Sequence, residues 1–197
     1  MLNRLLTLLT VCGILLLHQA MLQAENVEFT PMGAGGVGLL PDNIDPPTSS
    51  TGFGGIGATG ITFNTETNIL SVDILWGSEF GFGDMTGEVT LLHLHGPVDS
   101  GMAGWGQTNM NILVQLQNSL NFDPTADGGG LNDDFLLSAE QAEWLLDSRT
   151  YINVHTDMYP MGEVRGYLMN NNTVPEPSTS MVLLGVLSGL LARRRRA

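Results

Sequence analysis

The sequence contains no lysine and a single cysteine, Cys12. A disulfide needs two thiols, so a disulfide framework is excluded, and the segment after Cys12 has no cysteine-based metal site. Other basic residues are also scarce, because between Glu25 and Pro177 only Arg149 and Arg165 are positively charged. A domain built from this segment must therefore fold on its hydrophobic core, without covalent cross-links.

The same segment is strongly acidic. All 20 acidic residues of the chain lie in it, so two arginines against twenty carboxylates give a formal charge of −18, compared with −13 for the whole chain. Such a charge repels nucleic acid and anionic lipid surfaces, which are therefore poor partners, and we expect no nucleic-acid partner. Divalent cations, basic proteins and neutral polysaccharides fit it better. The alternative is that the acidity only keeps the protein soluble outside the cell.

Long apolar stretches occur at the two ends of the chain. Residues 1–24 combine a basic start, an apolar stretch and a small residue, Ala24, at a plausible cleavage position. This arrangement is typical of a secretory signal peptide. We expect cleavage after Ala24, or earlier after Ala20. With the later cut, Glu25 is the first residue of the exported protein.

The C-terminal segment, residues 171–197, contains three parts in a fixed order. An apolar helix is predicted over 179–192, and four arginines at 193–196 follow it. The apolar stretch is shorter than the about 20 residues that cross a bilayer without tilt. The first of the three parts, before the apolar helix, is a proline-containing motif that consists of Val174, Pro175, Glu176 and Pro177. This layout resembles the PEP-CTERM sorting signal of Gram-negative bacteria.

The resemblance to a PEP-CTERM signal implies a processing partner. An exosortase-type enzyme would recognise the Pro-Glu-Pro motif and remove the tail. Until then the tail would be a transient tether in the inner membrane, with its arginines on the cytoplasmic side. The protein would afterwards reach the cell surface or the extracellular space. The alternative is a plain C-terminal anchor helix, which needs neither the motif nor so short a span.

Residues 52–170 predict an all-β domain, whereas residues 25–51, with four prolines and a glycine cluster, predict an irregular lead-in. Ser138 and Gln141 have the spacing of a capping box, which predicts one short helix. The fold class is therefore an antiparallel β-sandwich or barrel of short strands with a single helix. Short stretches that alternate apolar and polar residues between glycine and asparagine turns indicate the strands: 61–63, 69–76, 88–95, 111–116, 151–155 and 163–169.

Two segments carry the most specific pattern. The first is Leu92-His93-Leu94-His95-Gly96-Pro97. The second runs from Tyr151-Ile152-Asn153-Val154-His155-Thr156 to Gly162-Glu163-Val164-Arg165-Gly166-Tyr167-Leu168. Together they resemble the CHRD domain, named for chordin and also found in bacterial secreted proteins, over roughly residues 52 to 169. The resemblance implies an immunoglobulin-like β-sandwich or barrel and an extracellular binding role.

The histidines of these segments are candidate metal ligands. His93 and His95 are two residues apart in a predicted strand, so their side chains share one face. His155 ends another predicted strand. Three imidazoles from two strands, with Asp157 or Glu163 as an oxygen ligand, predict a copper or zinc site. The alternative is that the imidazoles hydrogen-bond backbone groups and connect the two segments.

Glu163 and Arg165 are also two residues apart in a predicted strand. Because Arg165 is one of few cations among many acids, we predict a buried structural ion pair between the two side chains. The alternative is that Arg165 binds a sugar or a carboxylate, since its guanidinium suits such ligands.

The acidic loop between residues 121 and 134 matches part of a calcium-binding pattern. Positions one, three, five, six and twelve are held by Asp123, Thr125, Asp127, Gly128 and Asp134. Threonine replaces the usual carboxylate at position three, aspartate replaces the bidentate glutamate at position twelve, and no helix enters the loop. The partial match predicts a calcium site, with a solvated loop as the alternative.

The sequence is consistent with two alternative functions. The first is a non-enzymatic surface or extracellular-matrix protein whose CHRD-like domain mediates binding or adhesion to polysaccharide or protein. The second is a small exported metal-binding or redox protein that uses the histidine cluster. We do not expect an enzyme, because the sequence shows no nucleophile–base pair and no open metal site of a known catalytic type.

Overall fold

The computed structural model describes residues 25–173; the predicted signal peptide, the motif Val174–Pro177 and the apolar helix after it lie outside the described residues. Among the described helices, none is both long and apolar enough to cross a membrane. The strands are β1 (Asn26–Gly33), β2 (Gly36–Val37), β3 (Gly54–Asn64), β4 (Ile69–Trp76), β5 (Val89–His95), β6 (Ile112–Gln115), β7 (Phe122–Asp123), β8 (Gly130–Leu136), β9 (Tyr151–Thr156) and β10 (Val164–Asn170). Helix α1 (Ala139–Leu146) follows β8, and short 3₁₀ helices occur at Pro41–Asn43, Ser78–Phe80, Gly101–Gly104, Leu116–Asn118 and Asn171–Thr173.

These strands form one antiparallel sheet. Its order is β6-β5-β9-β10-β1-β3-β4-β8-β7, with β2 paired to β1. Strands that are far apart in this order share one hydrophobic core, because Leu92 and Leu94 of β5 belong to the same cluster as Val72 and Ile74 of β4. The sheet therefore curls into a half-barrel around that core. The predicted all-β antiparallel architecture with one short helix is confirmed.

The β3–β4 hairpin forms at the predicted turn. Asn64 Oδ1 accepts hydrogen bonds from the backbone N–H groups of Glu66 at 3.1 Å and Thr67 at 2.9 Å. Asn68 has a φ of 56°, in the left-handed region that asparagine tolerates better than most residues. Ile69 then pairs with Asn64, so the two strands run back along each other.

Helix α1 begins with the predicted capping box. Ser138 Oγ accepts from the Gln141 N–H at 3.2 Å, and Gln141 Oε1 accepts from the Ser138 N–H at 2.9 Å. Ala142 and Leu145 point from the helix into the core. Gln141 Nε2 also donates to Leu113 O at 3.0 Å, so the cap attaches the helix to β6.

The interpretation of residues 25–51 as an irregular lead-in is wrong for residues 26–40, which pair with the sheet, whereas residues 44–51 have no regular secondary structure. β1 lies in the middle of the sheet, between β10 and β3. Its side chains Val27 and Phe29 are in the core, with 4% and 2% of their surface exposed. Beyond β1, Leu39 pairs with the first residue of β3, and Leu40 exchanges backbone hydrogen bonds of 3.0 and 3.1 Å with Arg165 of β10. The β domain therefore starts near residue 25 instead of residue 52.

Pro31 explains why the sequence did not predict β1 as a strand. Prolines indicate irregular chain, because proline offers no N–H to a sheet. The N–H and C=O of a strand residue point to the same side, and Pro31 O accepts from the Gly38 N–H at 2.8 Å. The missing N–H thus faces away from β10. β3 pairs only with Asn26–Phe29 of β1 and has diverged from β1 at Pro31, so no hydrogen bond to β3 is lost at the proline. On the other edge, Pro31 pairs with Leu168 of β10.

Candidate metal centre

β5, β9 and β10 present a polar row on the face opposite the core. Successive residues of these strands alternate between the two faces, so Leu92, Leu94, Ile152 and Val154 enter the core while their neighbours do not. The neighbours are polar and buried under loops: His93, His95, Tyr151, Asn153, His155, Arg165 and Tyr167. The predicted shared face of the first two histidines is confirmed.

The register of β5 and β9 brings the three histidines together. His93 pairs with Asn153, whereas His155 pairs with Leu91 and so lies diagonal to His93. The ring centroid of His93 lies 5.3 Å from that of His95 and 4.9 Å from that of His155. Each residue offers a ring nitrogen, and these nitrogens lie within 4.8 Å of one another. Within residues 25–173 this is the one such group of three or more His, Cys, Asp or Glu.

Two loops cover the polar row. The β5–β6 loop is held by tyrosines that donate their hydroxyls to its backbone carbonyls at 2.8 Å, Tyr151 to Asn109 and Tyr167 to Gln107. The β9–β10 loop turns over the end of β9. A pocket of about 190 Å³ opens between the two loops, and the three histidines line it.

His155 is oriented by its neighbours. Its Nδ1 lies 2.9 Å from Pro160 O, and because a carbonyl oxygen only accepts, Nδ1 carries the proton of the neutral ring. The lone pair is therefore on Nε2, where the amide nitrogen of Asn153 lies 3.1 Å away. A histidine that donates its other ring nitrogen to a backbone carbonyl is a common arrangement in metal sites.

The other two imidazoles have nitrogens without partners. His93 Nδ1 and both ring nitrogens of His95 are buried and make no hydrogen bond of regular geometry, although the nearby backbone of Asn111 acts to raise the pKa of His95 against the larger effect of burial. His93 Nε2 has only a long contact of 3.4 Å to the side-chain amide of Gln117. The ring of His95 stacks on Tyr151 with a centroid distance of 5.1 Å. A buried polar atom without a partner costs about 1–3 kcal/mol, and coordination of a metal ion would satisfy one nitrogen of each ring.

The three imidazoles are in the form that binds metal at neutral pH. Burial, followed by repulsion from His155, lowers the pKa of His93 to about 4. Burial, followed by repulsion from the other two histidines, lowers the pKa of His95 to about 4. Burial also lowers the pKa of His155. Because neutral imidazole is the ligand form, a metal ion does not have to displace protons from these rings.

The metal-free protein is expected to lose stability as the pH falls from 6.5 towards 4. His93 and His95 protonate near pH 6.5 in the unfolded chain and near pH 4 in the folded chain. Between these values the unfolded state binds more protons, so the free energy of unfolding decreases with decreasing pH. Urea denaturation in EDTA across this range measures the slope. The variant His93→Gln/His95→Gln should show a smaller slope, and an unchanged slope would contradict the assignment.

The cluster has dimensions that a copper or zinc ion can use. Zinc–nitrogen bonds of about 2.0–2.1 Å place the nitrogens around a tetrahedral ion about 3.3 Å apart. The ring nitrogens lie within 4.8 Å of one another, so they would have to approach by about 1.5 Å at most to reach this spacing. Imidazole suits both metals. Three histidines leave a fourth ligand position to another group of the pocket.

Glu163 does not supply that fourth ligand. Its buried carboxylate accepts hydrogen bonds from Ser50 Oγ at 2.5 Å, the Thr86 N–H at 2.7 Å and Thr156 Oγ1 at 2.6 Å. The predicted oxygen ligand is therefore wrong for Glu163, and the exposed Asp157 is not part of the cluster either. The reason is that Ser50 and Thr86 come from distant segments whose position near Glu163 the sequence does not reveal.

Arg165 does not form the predicted ion pair with Glu163. Its Nη1 donates to Gln107 O at 3.2 Å and to Thr108 Oγ1 at 3.3 Å. Its guanidinium carbon lies 4.3 Å from the centroid of the Tyr151 ring, a cation–π contact. Both charged residues are buried, as predicted, but each is bound by other groups. Arg165 thereby holds the β5–β6 loop over the histidines.

The acidic loop does not gather the predicted calcium ligands. Asp123 ends β7, and its Oδ1 accepts from Thr125 Oγ1 at 2.5 Å. Asp134 lies in β8, where its Oδ1 accepts from Ser71 Oγ of β4 at 2.6 Å. Asp127 lies in the turn between β7 and β8. The calcium prediction is wrong, because the residues after 130 extend along β4 as a strand instead of wrapping around an ion.

Two residues that contact the imidazoles are missed by the sequence pattern. Asn153 lies two residues before His155, so the period of two that pairs His93 with His95 could have identified it. Gln117 lies in the short 3₁₀ helix after β6 and carries no comparable signal. Asn153 lies near the cluster because β9 pairs with β5, and Gln117 lies near it because β6, which precedes the 3₁₀ helix, pairs with the other edge of β5.

Comparison with known families agrees with this structure. The sequence model of the CHRD domain matches residues 22–168, so the chain belongs to the CHRD domain family. The PEP-CTERM protein-sorting motif matches residues 173–196. Both predicted resemblances are confirmed, and the CHRD match includes β1. No curated protein and no solved structure matches the chain significantly.

Proposed function

We propose that this CHRD domain binds one copper or zinc ion through His93, His95 and His155 and acts as a non-enzymatic metal-binding protein. The PEP-CTERM motif indicates that the protein is exported, is transiently anchored in the membrane and is processed by an exosortase-type enzyme. Its proposed destination is the cell surface or the extracellular space.

The observation that carries the proposal is the convergence of three buried imidazoles with unsatisfied nitrogens. Three ring nitrogens lie within 4.8 Å of one another, and three of the six ring nitrogens make no hydrogen bond of regular geometry. A purely structural cluster would be expected to satisfy its buried nitrogens with backbone groups, as His155 Nδ1 does. The neutral form of the rings and the acidic exterior both favour a cation.

Metal analysis of the chain 25–173, which contains the complete sheet and core, tests the proposal. We expect one copper or zinc ion per chain by elemental analysis and a saturable titration by calorimetry. His93→Gln/His95→Gln should remove stoichiometric binding, because only one of the three imidazole ligands is left. The control is Ile112→Ala, which changes a pocket-lining residue that has no ligand atom.

The outcome is read together with the fold of each variant. Circular dichroism shows whether the glutamine variant keeps its sheet, which separates loss of a ligand from loss of structure. Absence of stoichiometric metal in the folded wild-type chain, or equal binding by the glutamine variant, would refute the metal centre.

Adhesion at the surface or in the matrix is a second candidate function. A groove of about 410 Å³ adjoins the histidine pocket, and it combines the aromatic ring of Tyr159 with polar groups such as Thr48 and Arg165. Such a lining suits a sugar or an extended chain segment. Binding to extracellular polysaccharide or protein that persists in chelator and in the histidine variant supports adhesion by this groove without metal.

A further inference from the structure

Two exposed methionines stand at the mouth of the histidine pocket. Met110 and Met161 line the same pocket as the three histidines, and 68% and 66% of their surfaces are exposed. Methionine is usually buried, where its flexible thioether fills gaps in the core. Neither of these side chains therefore contributes much to the core of the domain.

Backbone hydrogen bonds fix both methionines beside the site. Asn153, which contacts His155, donates its side-chain amide to Met161 O at 3.2 Å. Met110 follows directly after Asn109, whose backbone N–H donates to Tyr151 Oη at 3.0 Å and whose carbonyl accepts from the same hydroxyl at 2.8 Å. The loops that carry the thioethers are thus attached to residues of the polar row.

The pocket contains soft and neutral donors and no carboxylate. Its lining includes three imidazoles and two thioethers, and the one charged side chain in it is the guanidinium of Arg165. Repulsion between ions scales with their charge, so a dication suffers twice the repulsion from Arg165 that a monocation suffers at the same position. Thioether sulfur is a soft ligand that selects Cu(I), whereas imidazole accepts both copper and zinc.

We propose that the pocket selects copper as Cu(I), with the thioether sulfur of Met110 or Met161 as the fourth ligand of an ion held by the three histidines. This inference rests on the proposed function, because it names the metal and the oxidation state of the same centre. A thioether thus takes the ligand role that was predicted for the carboxylate of Glu163. Zinc, which is a dication and gains little from thioether sulfur, binds the histidines alone.

The test compares Cu(I) and zinc affinities of methionine variants. Met110→Leu/Met161→Leu keeps side-chain volume while it removes both sulfurs. The matched control is Met102→Leu, which removes an equally exposed thioether, 71% exposed, outside the pocket. Affinities for Cu(I) are measured without oxygen by competition with a chromophoric chelator. X-ray absorption of the copper-loaded protein reports sulfur neighbours of the ion.

The expected result is a Cu(I) affinity that falls on the order of tenfold or more in the double variant, with zinc affinity unchanged. Met102→Leu should behave as wild type, and sulfur scattering should disappear in the double variant only. Equal Cu(I) affinities of wild type and double variant, or copper with nitrogen neighbours alone, would overturn the methionine inference and leave the histidine centre standing. A folded wild-type chain that binds neither ion overturns both proposals.

Discussion

Removal of residues 25–51 is expected to abolish folding of the domain. β1 connects the two halves of the sheet, because β10 pairs along one of its edges and β3 along the other. The deletion also removes Val27, Phe29 and Leu39 from the core. Burial of such side chains contributes about 1.5–3 kcal/mol each. The whole domain has about 5–15 kcal/mol of stability, so this loss, together with the divided sheet, exceeds what the remainder can tolerate.

Expression of chains 52–173 and 25–173 side by side measures this effect. Near-ultraviolet circular dichroism and dispersion of amide signals in NMR should report a folded domain for the longer chain only. A graded version uses Phe29→Ala, expected to cost about 3–5 kcal/mol in urea denaturation. Val37→Ala is the control, since Val37 is 65% exposed on β2. A cooperative unfolding transition of the shorter chain would show that β1 is dispensable.

Glu163→Ala is expected to be the most destabilising point substitution in the polar network. The carboxylate is fully buried and joins three segments through Ser50, Thr86 and Thr156. Alanine removes the acceptor of all three groups and leaves the Thr156 hydroxyl buried without one, whereas Ser50 and Thr86 are partly or fully exposed. A buried donor left without its acceptor costs about 1–3 kcal/mol, so a destabilisation of at least that order is expected.

A comparison of two further variants separates this network from a general effect of charge. Glu163→Gln keeps the size and one acceptor oxygen, so it should unfold at a urea concentration between those of wild type and Glu163→Ala. Glu66→Ala removes an exposed carboxylate from the β3–β4 turn and should stay within about 0.5 kcal/mol of wild type. If Glu163→Ala unfolds at the same urea concentration as Glu66→Ala, the hydrogen bonds to Glu163 do not hold the segments together.

Local patterns explain which parts of the fold the sequence could predict. The β3–β4 turn and the start of α1 depend on residues within four positions of one another, and both are confirmed. β1 depends on pairing with Asn170 and Met169, about 140 residues away in the chain. The proline in β1 is tolerated because β3 has diverged from β1 before Pro31 is reached. The point at which two strands diverge is not encoded in a local sequence pattern.

The candidate site also contains residues that local patterns predict and residues that they do not. The period of two along β5 places His93 and His95 on one face, and the register with β9 adds His155. The failed predictions concern carboxylates: Glu163 binds Ser50, and Asp134 binds Ser71. Both partners lie more than 60 positions away in sequence. A carboxylate has many donors to choose from in a folded chain, so its sequence neighbourhood says little about its ligand.

The direction of β10 separates the pocket from the last described residues of the chain. Arg165, beside the histidines, and Asn170, near the sorting signal, are five residues and about 16 Å apart. Asn172 also donates to Glu25 Oε1 at 3.2 Å, so both ends of the described chain lie at the far end of this strand. The last described residues thus lie at the end of the domain remote from the pocket. The sequence matched by the sorting motif, 173–196, is therefore joined to the domain at the end of β10 that lies away from the three histidines.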